Sequence, residues 1–358
     1  MNILITNIQL TVPGGTVSYV NDLATGLKKR GFRVEIYTAK VGLVGNDLIQ
    51  AGFNVVTNLG NLKNIPNLIH SHHNPVTMDV LMKFKNTPVV FFLHDKTSPF
   101  DHPIKHPNIV KHVAVDYNCL DRLLYKGKID KKHAAVIYNW VDTGRFKIRT
   151  TFNDKPLKAL VFSNYATKNN YYKIIERACT MAGLQLTAIG SGMGNAVKNP
   201  EEILGQYDLV FAKAKAAIEA LATGAGVILC DYGGLGEMVN QSNIAYLRKY
   251  NFGRKTLTRP IDTTAIATEI SKFNSNENRL NAHTISKEAS FEKTLDVLVD
   301  FYKTAVAAYA NGERGPDGNL ALQKIRSYSY KYYFYFTGTT LFKILSSLKY
   351  KLKNLFVK

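Results

Sequence analysis

Residues 208–239 read DLVFAKAKAAIEALATGAGVILCDYGGLGEMV: an apolar run, a turn with two lysines, an alanine-rich stretch, a glycine, a second apolar run and a glycine loop. The spacing predicts a strand over Asp208–Phe211 and a helix over Ala216–Thr223. A helix that begins at the carboxyl end of a parallel strand stands where open α/β sheets bind ligands. Its first-turn N–H groups and the positive end of its dipole attract a pyrophosphate. Lys213 and Lys215 add charge at that point, and Glu219, about one turn in, is placed to accept two hydrogen bonds from ribose hydroxyls. By spacing alone, a solvated lysine turn and an exposed helix carboxylate account for the same residues equally well.

Other segments also carry side chains suited to chemistry. Gly14 and Gly15 form a turn between the run ILIT and the stretch VSYVNDLATGLKK, in which Val17, Val20, Leu23, Ala24 and Leu27 share one helical face. His94 stands directly after the apolar run Val89–Leu93 and is followed by Asp95. His70, His72 and His73, in IHSHH, have a spacing that resembles a metal site. GSGMG at Gly190–Gly194 follows a strand-like run, but the spacing is not GxGxxG, Pro200 follows, and no βαβ unit closes on an acidic residue about 20 positions on. It is read as a loop lining the ligand site.

These residues need a sheet to position them. Short apolar runs at ILIT, VEIYT, Leu68–His70, Val89–Leu93, His112–Val115 and Ala135–Tyr138 alternate with helical or polar connections, the signature of a parallel α/β sheet. After the polar stretch TTFNDKP the alternation restarts with KALVFSN, YYKIIERACTMAG, LQLTAIG, PEEILGQ, DLVFAK, AAIEALATG and GVILCD. The runs show little period-two alternation, as expected when helices cover both faces of a sheet. The chain therefore divides into two Rossmann-like halves, 1–150 and 151–310, the second ending in a helical region over Ile285–Ala310. NGERGPDG then breaks the chain, and 311–358 is a basic, aromatic tail.

The chain of 358 residues carries a formal charge of +19, which favours polyanionic partners. Residues 319–358 hold eight basic residues (Lys324, Arg326, Lys331, Lys343, Lys349, Lys351, Lys353 and Lys358), no acidic one, and many tyrosines and phenylalanines from Tyr328 to Phe356. That mixture suits the headgroup boundary of an anionic membrane. A packed aromatic stripe with solvated charges, or base stacking on nucleic acid, is the alternative; nucleic acid is not expected. Cys119, Cys179 and Cys230 are scattered among apolar neighbours and read as buried thiols of a reducing cytoplasm. The N-terminus lacks the features of a secretory signal, and no uncharged apolar stretch of about 18 residues occurs, so neither export nor a membrane span is expected. The expected location is the cytoplasm, peripheral on the inner face of the cell membrane.

The segment 208–239 resembles the donor-nucleotide region of glycosyltransferase family 4, enzymes of the GT-B fold. In that family the helix carries a ribose-binding Glu before a glycine and a strand that ends in a glycine loop, here Glu219, Gly224 and the Gly233, Gly234, Glu237 loop. VPGGTVSYVNDLATGLKKRGFRVEIYT is similar to the family's first glycine loop and helix, IHSHH to its second-strand signature, and VIYNWVDTGRF to its interdomain motif. The matches run in the family's order over residues 1–305.

The resemblance implies a retaining transferase that moves a sugar from a nucleotide-diphosphate donor to a lipid-linked or polysaccharide acceptor in cell-envelope glycan synthesis. It implies no cofactor and no metal. Gly14 and Gly15 would let the first loop approach donor and acceptor without a side chain in the way, and His94 would face the donor sugar as a catalytic residue. Lys213, Lys215, Glu219, Gly233, Gly234 and Lys168 would hold the donor nucleotide, and Asn139 would support the interdomain cleft. The three histidines of IHSHH become sheet-end residues.

Two departures stand out. The family's helix signature has a first Glu near the transferred sugar; eight positions before Glu219 this chain has Phe211, within the strand. The Arg and Lys that grip phosphates after the second domain's first strand are represented at best by Lys168, with Lys213, Lys215 or Arg254 as substitutes. A non-catalytic GT-B-like subunit and a nucleotide-sugar epimerase are the alternatives; an oxidoreductase has only GSGMG in its favour.

Overall fold

The structure, a computed structural model, describes residues 1–336. Strands β1 (Asn2–Asn7), β2 (Arg33–Thr38), β3 (Asn54–Val56), β4 (Leu68–His72), β5 (Val89–Leu93), β6 (Ile109–Ala114) and β7 (Ala134–Val136) form one sheet in the order β3-β2-β1-β4-β5-β6-β7. Every neighbouring pair in it is parallel. Strands β8 (Lys158–Phe162), β9 (Gln185–Ile189), β10 (Leu209–Ala212), β11 (Gly226–Asp231) and β12 (Gly234–Met238) form a second sheet, β12-β11-β10-β8-β9, parallel except for β12.

Each sheet is buried on both faces. Ile3 and Ile5 enter one core and Leu4 the opposite one; Val210 and Ala212 face one way and Leu209 and Phe211 the other. Unbroken apolar strands follow, because both alternating sets of side chains leave water.

The helices that cover the first sheet include α1 (Gly15–Lys29), α2 (Leu43–Gln50), α3 (Asn74–Lys83) and α4 (Tyr117–Asp121). The second sheet carries α5 (Tyr172–Met181), α6 (Glu201–Leu204), α7 (Ala214–Ala222), α8 (Ile244–Lys249), α9 (Thr263–Ile270) and α10 (Ser275–Glu288). The chain ends in α11 (Phe291–Ala310) and α12 (Leu320–Phe336).

Two expectations change. The single helical region over Ile285–Ala310 is two helices, interrupted where the chain crosses between the halves: Val141 N–H donates to Ala289 O at 2.8 Å, and Phe291 N–H donates to Val141 O at 2.9 Å. Helix α11, assigned by sequence to the second half, packs in the first: Phe291, Leu295, Leu298 and Tyr302 share a core with Leu23 and Leu27 of α1. Its amphipathic stripe is visible in sequence, but which sheet it covers is decided by that crossing.

The start of the tail is also placed: residues 320–336 are a helix docked on the first half. Leu320 and Tyr328 pack on the core beside α3, and Lys331 Nζ donates to Asp79 at 2.6 Å. Gln323 bonds both the N–H and the carbonyl of Lys105. The remaining tail residues of the membrane reading, Phe342, Lys343, Lys349, Tyr350, Lys351, Lys353, Phe356 and Lys358, lie outside the described residues.

Candidate functional site

The carboxyl ends of the two sheets face a shared cleft of about 1300 Å³. Its lining includes the segments after β1, β4, β5 and β6 in the first half and after β8, β9 and β10 in the second, where ligands of open α/β sheets bind. Gly14, Gly15, His94, Lys213, Lys215, Glu219 and Asn139 all line it.

On the second-half wall, β10 and α7 lie within two residues of their expected bounds. The first-turn N–H groups of α7 have no intrahelical acceptor; that of Ala214 is taken by Phe252 O at 2.8 Å, and Lys215 and Ala216 border the cleft. Lys213, at the N-cap, pairs with Asp231 at 2.5 Å and stands over the rings of Tyr165 and Tyr232. Arg254 also lines the cleft, donates to Thr97 Oγ1 at 3.3 Å, and forms no ion pair within 4 Å among the described residues. Lys215 is placed differently from a free phosphate ligand. Its Nζ lies 2.7 Å from Asp22 of α1 and 3.9 Å from Glu219, a bridge between the halves.

Glu219 is buried, and burial pushes its carboxyl up to about 7; Lys215 opposes that shift and Asp22 reinforces it. Burial works against the charge on Lys215, but Asp22 and Glu219 outweigh it and its pKa is raised. Near the crossing, Arg145 makes a two-pronged contact with Glu201, 2.9 Å on each prong, and reaches Asp22 at 3.5 Å.

On the first-half wall, among the described residues, a Cβ on Gly14 would have only Val12 O, at 4.0 Å, as a neighbour, and one on Gly15 nothing within 4 Å. The protein's own packing does not demand these glycines; a side chain there would project into the cleft. His94 N–H donates to Asp101 Oδ1 at 3.0 Å, and its Nε2 lies 2.9 Å from His72 Nδ1. Burial lowers the His94 pKa to about 3, helped by the charges of His73 and Lys215, so the ring is neutral near pH 7. Asn139 lines the cleft at the crossing, where Arg248 donates to its carbonyl at 2.6 Å.

Three non-glycine residues on the lining, His73, Ala214 and Asn251, have φ of +60, +51 and +52. A side chain in the left-handed region costs on the order of 1–3 kcal/mol and concentrates at functional sites. Ala214 holds it where the chain turns from β10 into α7.

Some expected residues fall elsewhere. Gly233 and Gly234 make the turn from β11 into β12 and line a separate hollow with Leu257 and Arg259, away from the main cleft. Lys168 is exposed and does not line the cleft; Ser163, Asn164 and Tyr165, closer to the end of β8, do. In GSGMG only Gly190 borders the cleft, and its φ of +152 and the Ser163 carbonyl against any Cβ explain the glycine by close packing. Phe211, eight positions before Glu219, is fully buried in β10 and does not line the cleft. Asp22, Arg145, Glu201 and Asp231 were missed. For Asp22 a signal existed: Ser18, Asn21, Asp22 and Thr25 form a polar stripe on α1 at helical spacing, and all four line the cleft.

No family model matches the chain, and no curated protein matches it. Among solved structures it is similar to a glycosyltransferase from Rickettsia africae (14% identity, TM-score 0.62, covering 85% of this chain and 98% of that one). It is similar to Anabaena HepE in complex with UDP and glucose (16% identity, TM-score 0.60, covering 84% and 99%). It is also similar to the pneumococcal O-GlcNAc transferase GtfA in complex with UDP and GlcNAc (8% identity, TM-score 0.56, covering 86% and 99%). At these identities the likeness establishes architecture: the chain has the GT-B fold of its solved glycosyltransferase neighbours, two Rossmann-like halves whose sheets face across a cleft.

Proposed function

We propose that this protein is a retaining glycosyltransferase that moves a sugar from a nucleotide-diphosphate donor to a lipid-linked or polysaccharide acceptor of the cell envelope. The observation that carries this reading is the start of α7: an open helix N-terminus flanked by Lys213 and Arg254, with buried Glu219 one turn further in, all on one cleft.

The pyrophosphate sits against the first turn of α7, where helix dipole and cations offset its charge without a metal ion. Lys213 exchanges Asp231 for phosphate oxygens, and Glu219, once ionised, accepts hydrogen bonds from the ribose. Binding ionises a carboxyl that the fold prefers protonated, so the ribose hydroxyls must supply that cost. Gly14 and Gly15 leave room for the sugar and acceptor, and His94 lies across from α7. In the transfer the bond from the anomeric carbon to the leaving phosphate breaks, and the acceptor oxygen bonds to the same face. The acceptor proton passes to the departing phosphate. Catalysis rests on stabilising the leaving diphosphate and orienting the acceptor, with closure of the cleft excluding water. Retention follows from the sequence resemblance.

A membrane-bound acceptor is supported by α12. Leu322, Ile325, Tyr332 and Tyr335 are exposed, and their spacing puts them on one helical face. The basic excess of 319–358 favours an anionic surface, consistent with a peripheral protein at the inner face of the cell membrane. No described helix is long and apolar enough to cross a membrane.

A thermal-shift screen of the full chain against UDP, GDP, ADP and CMP and their sugar conjugates, without metal, tests the donor site. Selective stabilisation by one nucleoside diphosphate is expected; no response to any would contradict the reading. Product formed from the donor alone, with no acceptor, would favour the epimerase.

A further inference from the structure

Behind His94 the first-half wall contains a row of hydrogen-bonded side chains for which the transfer chemistry above has no use. Tyr302 Oη, on α11, lies 2.5 Å from His70 Nδ1; His70 Nε2 lies 2.9 Å from His72 Nε2; His72 Nδ1 lies 2.9 Å from His94 Nε2. Tyr302, His70 and His72 are fully buried. Phe92 stacks on His70 at 4.0 Å, and the Tyr19 ring stands edge-on to His72 and His94 at 5.2 and 4.8 Å.

Burial keeps all three imidazoles neutral: His94 is lowered to about 3, and His70 and His72 lie well below the ordinary value, with neighbouring histidines adding to the effect. Each ring then has one N–H and one lone pair. A row of three links under that constraint can run in two directions only. In the first, Tyr302 O–H donates to His70 Nδ1, His70 Nε2–H donates to His72 Nε2, and His72 Nδ1–H donates to His94 Nε2, which leaves the His94 proton on Nδ1. In the second every link reverses, His94 Nδ1 is a bare lone pair, and the Tyr302 hydroxyl proton needs another acceptor.

Among the described residues Tyr302 Oη has no hydrogen-bond partner besides His70. A buried hydroxyl left without an acceptor is costly, roughly tenfold or more in population, so the first direction wins. Among the described residues no protein acceptor meets His94 Nδ1, the ring nitrogen left for the cleft.

We propose that Tyr302, through His70 and His72, fixes His94 as a neutral imidazole presenting Nδ1–H to the cleft, a hydrogen-bond donor to a ligand oxygen and not a proton acceptor. Tyr302, His70 and His72 are thus positioning residues that act through His94. What the Nδ1–H meets rests on the reading of the cleft as a transferase site: a hydroxyl or phosphate oxygen of the sugar donor. The tautomer is a property of the ligand-free protein and stands apart from that reading.

Imidazole nitrogen shifts of the nitrogen-labelled full chain, without ligand, decide the matter, with the His94 signals assigned by their loss in His94→Gln. A protonated Nδ1 and an unprotonated Nε2 on His94 are expected across neutral pH; a protonated Nε2, or a ring that titrates near its ordinary value, overturns the proposal. In Tyr302→Phe the bias disappears and the His94 shifts move to values intermediate between the two tautomers. An unchanged Nδ1–H tautomer in a folded Tyr302→Phe protein removes Tyr302 from the role, and the wild-type spectrum stays decisive if that variant does not fold.

Discussion

The wall behind β4 and β5 and the wall at the start of α7 are both buried and both polar, but their polar groups are held by different means. Behind His94, neutral rings are bonded in a row and packed on Phe92 and Tyr19. At α7 the groups are ions in pairs, Lys213 with Asp231 and Lys215 with Asp22, beside the buried carboxyl of Glu219. A neutral row costs little to bury and keeps one geometry. Ion pairs are costly to desolvate and recover that cost through close contact, so an anionic ligand can compete for them. The first wall is built to orient, the second to exchange protein partners for ligand.

Breaking the ionic wall should give the largest effect. Lys213→Ala leaves Asp231 buried without its counter-charge, a change that costs roughly 3–5 kcal/mol where one partner of a buried pair is lost. The hydrogen bonds to Asp231 from Tyr171 Oη and the Tyr232 N–H place the expected loss near the lower end. Thermal unfolding measures it, and nucleotide affinity should fall in the same variant.

Breaking the neutral wall should spare the fold's charge balance and strike turnover. His94→Ala is expected to lower kcat by about 100-fold, the usual loss for a positioned donor to developing charge, with a smaller change in KM. Steady-state kinetics separates the two.

The difference between the walls sharpens with pH. Glu219, pushed up to about 7, holds its proton more tightly folded than unfolded, so its contribution to stability is present below the unfolded value and is lost as pH rises through about 7. A ligand that needs the carboxylate should bind about tenfold more tightly at pH about 8 than at pH about 6, and Glu219→Gln should remove that slope in calorimetry. His94, lowered to about 3, should contribute no limb in that range.

Smaller effects test placement. Gly15→Ala adds a methyl that meets nothing within 4 Å among the described residues; stability should rise by about 0.4–1 kcal/mol while donor turnover falls. Lys168→Ala, outside the cleft, should change nucleotide affinity by no more than about 0.5 kcal/mol.

What the sequence revealed was local. Apolar runs predicted the two sheets, and the turn before α7 marked Lys213, Lys215 and Glu219; that these share a cleft with Gly14, Gly15 and His94, as the structure has them, was implied by the family resemblance. Relations across the chain were not legible. Asp22 and Lys215 are separated by 193 positions, and Tyr302 and His70 by 232; no local spacing encodes a partner that distant. Gly233 and Gly234 matched a family loop in composition, but here they make the turn into antiparallel β12 and line a separate hollow. The amphipathic stripe of α11 was readable, whereas the crossing at Val141 that carries it back to the first sheet depends on backbone hydrogen bonds.

The most direct test is calorimetric titration of the full chain with the nucleoside diphosphate that stabilises it, in wild type and in Glu219→Ala. The account predicts binding without added metal and an affinity at least about tenfold weaker in the variant, from the loss of charge-assisted hydrogen bonds to the ribose. Equal affinity in the two proteins would contradict it and place the nucleotide away from α7.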